Sequence, residues 1–197
     1  DNAADTRLQS GLAGSLNNLG NLLSESGKTE EALAYYEQAL PILQKLAEDN
    51  PAVTLFQNEL AVCHSNIGVR LRMTLKHTEA LAAHERALVI RRKLAADNPT
   101  DIPYQRDLAA SHINIGLQLR LTGQPAKALA AYEQALAIQR KLAADDPGSP
   151  DRASALGTTL NNLAMIALEA QRFAEARDEL REAIVWQKKA LTANARN

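Results

Sequence analysis

The segment His112–Pro147 reads HINIGLQLRLTGQPAKALAAYEQALAIQRKLAADDP, and its plan recurs along almost the whole chain. A step of forty-eight residues leads from Gly116 back to Gly68 and Gly20, and forward to Ala164. The same step joins three prolines and four alanines: Pro51, Pro99, Pro147, Ala39, Ala87, Ala135 and Ala183. Self-similarity at a fixed period of this size predicts a repeat architecture, in which each unit buries its apolar face against its neighbours.

Each repeat carries two helical patterns separated by a short break. In the first repeat, apolar residues recur at spacings of three and four residues, which is typical of one helix face; they are Leu8, Leu12, Leu16, Leu19 and Leu23. The residue before a proline is pushed out of helical geometry, so Asn50-Pro51 ends the second helix. The pattern predicts eight helices of about twenty residues, each about 30 Å long, over residues 5–25, 29–50, 53–73, 78–97, 101–121, 125–145, 151–170 and 173–192.

Three local features modify this plan. Thr29 stands where a capping hydroxyl begins the second helix. Pro41 falls inside the buried stripe of that helix, so we expect it to remove one backbone hydrogen bond and bend the helix. The second repeat has Leu75 where Gly27 and Gly123 stand in the first and third, so its turn is expected to be the least regular.

The composition disfavours several classes of function. Hydrophobic residues make up 46% of the chain and charged residues 23%, with a net charge of -1 and intermixed signs. This balance gives no sequence-wide attraction to nucleic acid or anionic membrane, and no apolar run approaches a membrane span. The expectation is a cytoplasmic protein without a cofactor. Because the sequence starts without Met and stops in mid-pattern, we interpret it as a segment of a larger protein.

The residue pattern of every repeat resembles the tetratricopeptide repeat (TPR). In the first and third repeats the matching positions are Leu16, Leu19, Gly20, Leu23, Ala32, Tyr36, Ala39, His112, Ile115, Gly116, Leu119, Ala128, Tyr132 and Ala135. The resemblance implies an all-α fold, a right-handed α-solenoid of four antiparallel helix pairs. It predicts one domain over residues 1–197, with repeats near 5–50, 51–98, 99–146 and 147–192.

The length of the repeat makes this resemblance more specific. A period of forty-eight residues exceeds the usual thirty-four by fourteen, close to two extra helical turns per helix. The chain is in this respect similar to the long-repeat arrays typified by kinesin light chain, and to the TPR tails of bacterial serine/threonine kinases. Physically, small residues on the first helix of each pair are expected to face small residues on the second; these are Gly20, Gly68, Gly116, Ala164, Ala32, Ala80, Ala128 and Ala176.

An asparagine recurs at one position of the first helix in all four repeats, namely Asn18, Asn66, Asn114 and Asn162. In similar proteins this position faces the concave groove of the superhelix, and such an asparagine ladder holds an extended peptide. A side-chain amide donates and accepts at once, and first helices about 10 Å apart match three extended residues of about 3.3 Å each. The alternative is that each asparagine ties down the backbone of the neighbouring repeat.

Other groove positions would complete a peptide site. Val69, Leu117 and Met165 are predicted to form its apolar floor, and Arg72 and Arg120 would flank it and pair with acidic ligand groups. The sequence therefore favours a non-catalytic module that binds a protein or peptide. The alternative is a structural spacer or self-association element of a larger bacterial protein that contains a kinase.

Catalytic and metal sites are not indicated. The sequence shows no nucleophile with a base and no phosphate-binding glycine loop, so we do not expect an enzyme. Cys63, His64 and His84 could approach one another, but their spacing matches no compact zinc motif, and core histidines are the better interpretation.

The C-terminal helix is unusual in its apolar residues. Trp186 stands where earlier repeats have isoleucine, and we expect it to form an exposed or partner-covered patch with Ile184, Val185 and Leu191. The residues from Thr192 to Asn197 offer no further amphipathic helix. We therefore expect this end to be covered either by a second copy, in a homo-oligomer, or by residues of a larger parent protein.

Overall fold

A computed structural model of the protein describes residues 2–194, and this part of the chain is helical with no strand. It contains eight helices: α1 (Asn2–Glu25), α2 (Thr29–Asp49), α3 (Thr54–Met73), α4 (His77–Asp97), α5 (Ile102–Leu121), α6 (Pro125–Asp145), α7 (Pro150–Glu169) and α8 (Phe173–Asn194). The predicted all-α class is confirmed, and the helix ends differ from the predicted ones by at most a few residues. The last residues of the predicted C-terminal tail, 195–197, lie outside the described part.

The chain divides into two compact units, Asp1–Asn98 and Pro99–Asn197. In the first unit each helix packs on the next, α1 on α2, α2 on α3 and α3 on α4. The second unit repeats this plan with α5 to α8. Each unit thus consists of two helical hairpins, and the division falls at Asn98-Pro99, where the second repeat ends. We call α1, α3, α5 and α7 the A helices and the others the B helices.

The turn of the second repeat has the same geometry as the turns that contain glycine. Leu75 has a φ of 61°, close to the 76° of Gly27 and the 73° of Gly123. The same backbone hydrogen bond closes each of these turns, from Lys76 N to Leu71 O in the second repeat at 2.9 Å. The expected irregularity is therefore wrong. The fixed turn length forces Leu75 into the left-handed conformation in spite of its Cβ.

The predictions for Thr29 and Pro41 need correction in part. The residue that caps α2 is Lys28, which makes no side-chain cap bond, while Thr29 is already helical and buried. Pro41 lies within α2 as predicted, but its side chain is exposed and not part of the buried stripe. The helix continues to Asp49, and the amide of Asn50 then donates to Leu46 O at 2.9 Å, which satisfies one of the last carbonyls.

The glycines of the A helices accommodate aromatic rings of the B helices. A Cβ on Gly20 would lie 2.6 Å from the Tyr36 ring, and one on Gly116 would lie 2.8 Å from the Tyr132 ring. Gly68 meets the ring of His84 in the same way. The predicted alanines opposite are fully buried, but the residue that requires glycine is this ring, one helical turn further on. The three atoms nearest to each of these glycine positions therefore belong to the ring and not to the predicted alanine.

The fourth repeat uses a different pair at the same place. Its A helix has Ala164 in place of glycine, and its B helix has Leu180 in place of a ring. Ala164 packs in a small apolar cluster with Ala167, Ala176 and Leu180. A flexible aliphatic side chain therefore leaves space for the extra Cβ that a fixed ring excludes.

Candidate functional site

The candidate site is the surface on which the A helices of one unit present their asparagines. In the first unit we define the A-helix face by Asn18, Asn66, Val69 and Arg72, and in the second by Asn114, Leu117, Arg120, Asn162 and Met165. Asn18 and Met165 are exposed, and the side chains of the other seven residues are half-buried. These residues can therefore be reached by a ligand without unfolding either unit.

A polar chain connects the two A helices of the first unit. The Tyr36 hydroxyl donates to Asn21 Oδ1 at 2.7 Å, and Asn66 Nδ2 donates to the same oxygen at 3.3 Å. Asn66 thus contacts the preceding repeat through a side chain and not through its backbone. The backbone-tying alternative is therefore wrong for Asn66, and its amide is already partly engaged.

The asparagines at the other three ladder positions have free amides. Among residues 2–194, the side chains of Asn18, Asn114 and Asn162 make no hydrogen bond to the protein. An amide that is held on a rigid helix without an internal partner can both donate to and accept from a ligand backbone. This is the property that a peptide-binding ladder requires.

An ion pair connects the A helices of the second unit. Arg120 Nη1 lies 2.6 Å from Glu169 Oε1, and both side chains are partly exposed. Arg120 was expected to be available to acidic ligand groups, but its guanidinium is already paired within the chain. Arg72, one repeat earlier, has no ion pair with any residue that the structure describes. Of the two arginines on the A-helix faces, Arg72 is thus the one without an ion pair to a described residue.

A buried hydroxyl beside this ion pair lacks the asparagine acceptor found in the first unit. Tyr132 is 0% exposed, and its hydroxyl lacks an asparagine acceptor because Leu117 occupies the position that Asn21 has beside Tyr36. Burial raises the pKa of Tyr132, and the nearby Arg120 opposes this in part, so the group stays a neutral O–H donor at physiological pH. Because Tyr132 is enclosed, this hydroxyl belongs to the core of the hairpin and not to the surface that a ligand can reach.

The cysteine and histidines of the second repeat are core residues. Cys63 is fully buried and donates to Tyr36 O at 3.4 Å, and burial raises its pKa to about 12. His84 is also buried, and burial together with Arg72 and Arg91 lowers its pKa to about 4. No group of three or more potential metal ligands occurs among residues 2–194. His84 Nδ1 has no hydrogen-bond partner, so the expectation of a hydrogen-bonded core histidine is wrong at that nitrogen.

The last helix exposes an apolar surface. Ile184 is 50% exposed and Leu191 is 72% exposed, whereas Leu136 and Ala143, one repeat earlier on α6, are buried. Val185 is also exposed. Trp186 is half-buried, donates from Nε1 to Glu182 at 3.4 Å and carries Lys189 Nζ 4.1 Å from its ring centroid. We refer to Ile184, Val185 and Leu191 as the α8 patch.

Paired helices with alternating small residues and rings define the class of helical-hairpin repeat proteins. The family model described as Tetratricopeptide repeat matches residues 11–93 and 107–184, which is most of the chain. The chain belongs to the tetratricopeptide repeat family. Tetratricopeptide repeats form protein-interaction modules, and this protein is of that general class.

Two solved structures show the same fold. The crystal structure of BtubC (BKLC) from P. vanneervenii has a TM-score of 0.64 at 19% identity, covering 95% of this chain and 65% of that chain. The apo form of RapI has a TM-score of 0.73 at 19% identity, covering 90% of this chain and 56% of that one. This chain thus spans less than two thirds of either protein. No match was found among curated protein sequences.

None of the helices within residues 2–194 is long and apolar enough to cross a membrane.

Sequence reasoning missed the acceptor Asn21 and the ion-pair partner Glu169, because each contacts a residue 45 or 49 positions away. Both separations lie close to the repeat length. That closeness is the feature of the sequence that could have indicated contacts between neighbouring repeats.

Proposed function

We propose that this protein is a non-catalytic module that binds an extended peptide segment of a partner on its A-helix faces. The observation that carries the proposal is the set of unoccupied amides at Asn18, Asn114 and Asn162, repeated at one helical position. An extended peptide exposes alternating N–H and C=O groups, and the two amides of the second unit, Asn114 and Asn162, can pair with both. Packing gives no reason to keep a polar residue at this position in every repeat.

The second unit offers the more complete surface. Leu117 and Met165 supply apolar contact on neighbouring A helices, while Asn114 and Asn162 flank them. A peptide with an apolar side chain would contact Leu117 and Met165 while its backbone groups pair with the two amides. Arg72 gives the first unit a preference for an acidic residue.

Peptide binding is tested with Asn114→Ala combined with Asn162→Ala in the full chain. We first select ligands from a random peptide array and then measure their affinity by fluorescence anisotropy. Loss of two amide contacts is expected to weaken binding by roughly tenfold or more. The matched control is Asn161→Ala, one residue away on α7. Unchanged affinity in the double variant, or an equal loss in the control, would exclude the ladder as the binding element.

A second candidate function is self-association through the α8 patch. It is favoured by the exposure of Ile184 and Leu191 at positions that are buried in α6 by the following A helix. Covering such a face with a second copy would remove apolar surface from water at about 25 cal/mol per Å². In a larger protein the same contact would make this segment a structural spacer that positions other domains.

Sedimentation velocity and Trp186 emission test this second function. Self-association predicts a concentration-dependent mass and a blue-shifted emission that moves red on dilution. Ile184→Glu combined with Leu191→Glu should yield a monomer at all concentrations. Val89→Glu, an exposed residue on α4, is the matched control and should leave the association intact. A monomeric wild-type chain with a constant emission spectrum would exclude the role.

A further inference from the structure

The second unit contains a cavity that is separate from the asparagine ladder. It lies between α5, α6 and α7 and has a volume of about 340 Å³. This is at the lower end of the range for small-molecule sites. Its walls are mainly apolar, formed by Ile102, Ala109, Ile113, Leu142 and Ala155.

A buried amide in the wall of this cavity lacks a partner. Gln139 is 6% exposed, and its Oε1 is shielded from solvent without a hydrogen bond. Its side chain makes no hydrogen bond to the described residues 2–194. Such a group costs free energy unless a ligand pairs with it. A hydroxyl suits either orientation of the amide, because it both donates and accepts.

The equivalent place in the first unit is lined by different residues. Two repeats earlier, Leu43 occupies the position of Gln139, and Phe56 occupies the position of Arg152. Leu43 and Phe56 are both buried in one apolar core cluster. An opening beside Phe56 remains in the first unit, but Leu43 offers it no amide and Phe56 no guanidinium. The two exchanges therefore give the second-unit cavity polar groups that the first unit lacks.

Charged groups at the cavity determine the kind of ligand. Arg106 is exposed and has no ion pair with a described residue, and Arg152 is held by Leu142 O at 2.7 Å and Asp146 at 3.6 Å. Guanidinium planes stack on aromatic rings. Asp151 also lines the cavity, so the charges there are mixed and a neutral ligand is favoured.

We propose that this cavity binds a neutral phenol-type group, with its ring between the apolar walls and an arginine and its hydroxyl on the Gln139 amide. The group can come from a free small phenol or from a tyrosine side chain of a partner. This site is independent of the ladder, and either proposal can fail without the other.

The experiment compares p-cresol with toluene, which has the same ring and methyl but no hydroxyl. Titrations of the full chain are followed by NMR, with the Gln139 side-chain amide as the probe. We expect saturable shifts at Gln139 and a preference for p-cresol of roughly three- to tenfold, which corresponds to one neutral hydrogen bond. Gln139→Leu should bring the preference close to unity and retain toluene binding. Gln134→Leu, exposed on the same helix, is the control and should retain the preference.

Two further arms complete the test. Ala155→Leu fills the cavity from α7 and should abolish saturable shifts for both ligands, which keeps the test valid if Gln139→Leu fails to fold by circular dichroism. N-acetyltyrosinamide presents the same phenol on a peptide unit. Tighter binding of this compound than of p-cresol assigns the site to a partner's tyrosine, and weaker binding assigns it to a free phenol. Absence of saturable shifts in the wild type, or an unchanged preference in Gln139→Leu, overturns the proposal.

Discussion

Leu75 adopts the left-handed backbone conformation of Gly27 one repeat period later, with φ values of 61° and 76°. A side chain with a Cβ in this region is strained by about 1–2 kcal/mol. The side chain of Leu75 is 77% exposed, so its packing contacts offset little of this strain energy. The second turn therefore keeps its geometry at the expense of stability.

Leu75→Gly is expected to stabilise the protein by up to about 1 kcal/mol. The strain of the Cβ is removed, and the greater entropy of glycine in the unfolded chain offsets part of the gain. Urea denaturation followed by circular dichroism measures the shift in midpoint. Leu75→Ala retains the Cβ and should show no such gain. A lower midpoint for Leu75→Gly would show that the turn is not strained.

Gly116→Ala is expected to destabilise the protein by about 1–3 kcal/mol through overpacking. The added Cβ would lie 2.8 Å from the ring of Tyr132, which is fully buried and cannot move aside. Gly14→Ala is the control, because nothing lies within 4 Å of its Cβ position. That substitution should stabilise α1 by about 1 kcal/mol through helix propensity.

The combination of Gly116→Ala with Tyr132→Leu recreates the Ala164–Leu180 pair of the fourth repeat. We expect the double variant to be more stable than the sum of its single effects predicts, because leucine leaves space for the alanine. A thermal-denaturation double-mutant cycle measures this coupling. Strictly additive effects would show that the ring and the glycine do not depend on each other.

Pro41→Ala is expected to raise the stability by up to about 3 kcal/mol. Proline in the interior of α2 removes a backbone donor, and its exposed side chain contributes no buried contact in return. The third repeat has Ala137 at this position. Pro125→Ala at the first position of α6 is the control and should change the midpoint little, because proline is tolerated there. Equal effects of the two substitutions would contradict the prediction.

The buried His84 should make the protein less stable as the pH falls. Its pKa is lowered from 6.5 to about 4 in the folded state, so the unfolded chain binds more protons between these values. The contribution of neutral His84 to the free energy of unfolding is complete above pH 6.5. This contribution falls as the pH drops towards 4, by at most roughly 1.4 kcal/mol per pH unit. His84→Tyr, which copies Tyr36 and Tyr132, should reduce this slope in urea titrations between pH 4 and 7.

A residual slope is expected in His84→Tyr because the pKa of His64 is also lowered to about 4 by burial and by Arg86. Adding His64→Leu, which restores the residue of the first repeat, should reduce the slope further. An identical pH dependence in the wild type and both variants would show that neither histidine is kept neutral by the fold.

The sequence by itself determined the eight helices, their pairing and the repeat family. These depend on local periodicity, on breaking residues such as Asn50-Pro51, and on a forty-eight-residue step that can be read directly. It also placed four asparagines at one helical position, because a repeat period fixes equivalent positions without knowledge of packing.

Only the tertiary structure decided which polar groups are satisfied. Asn66 is engaged by Asn21 and Arg120 by Glu169, while Tyr132 lacks an asparagine acceptor because Leu117 replaces the asparagine of the first repeat. Neither the left-handed conformation of Leu75 nor the cavity at Gln139 could be predicted from the periodicity of the sequence. Each depends on atoms brought together from different helices, whereas periodicity reports only which face of one helix a residue occupies.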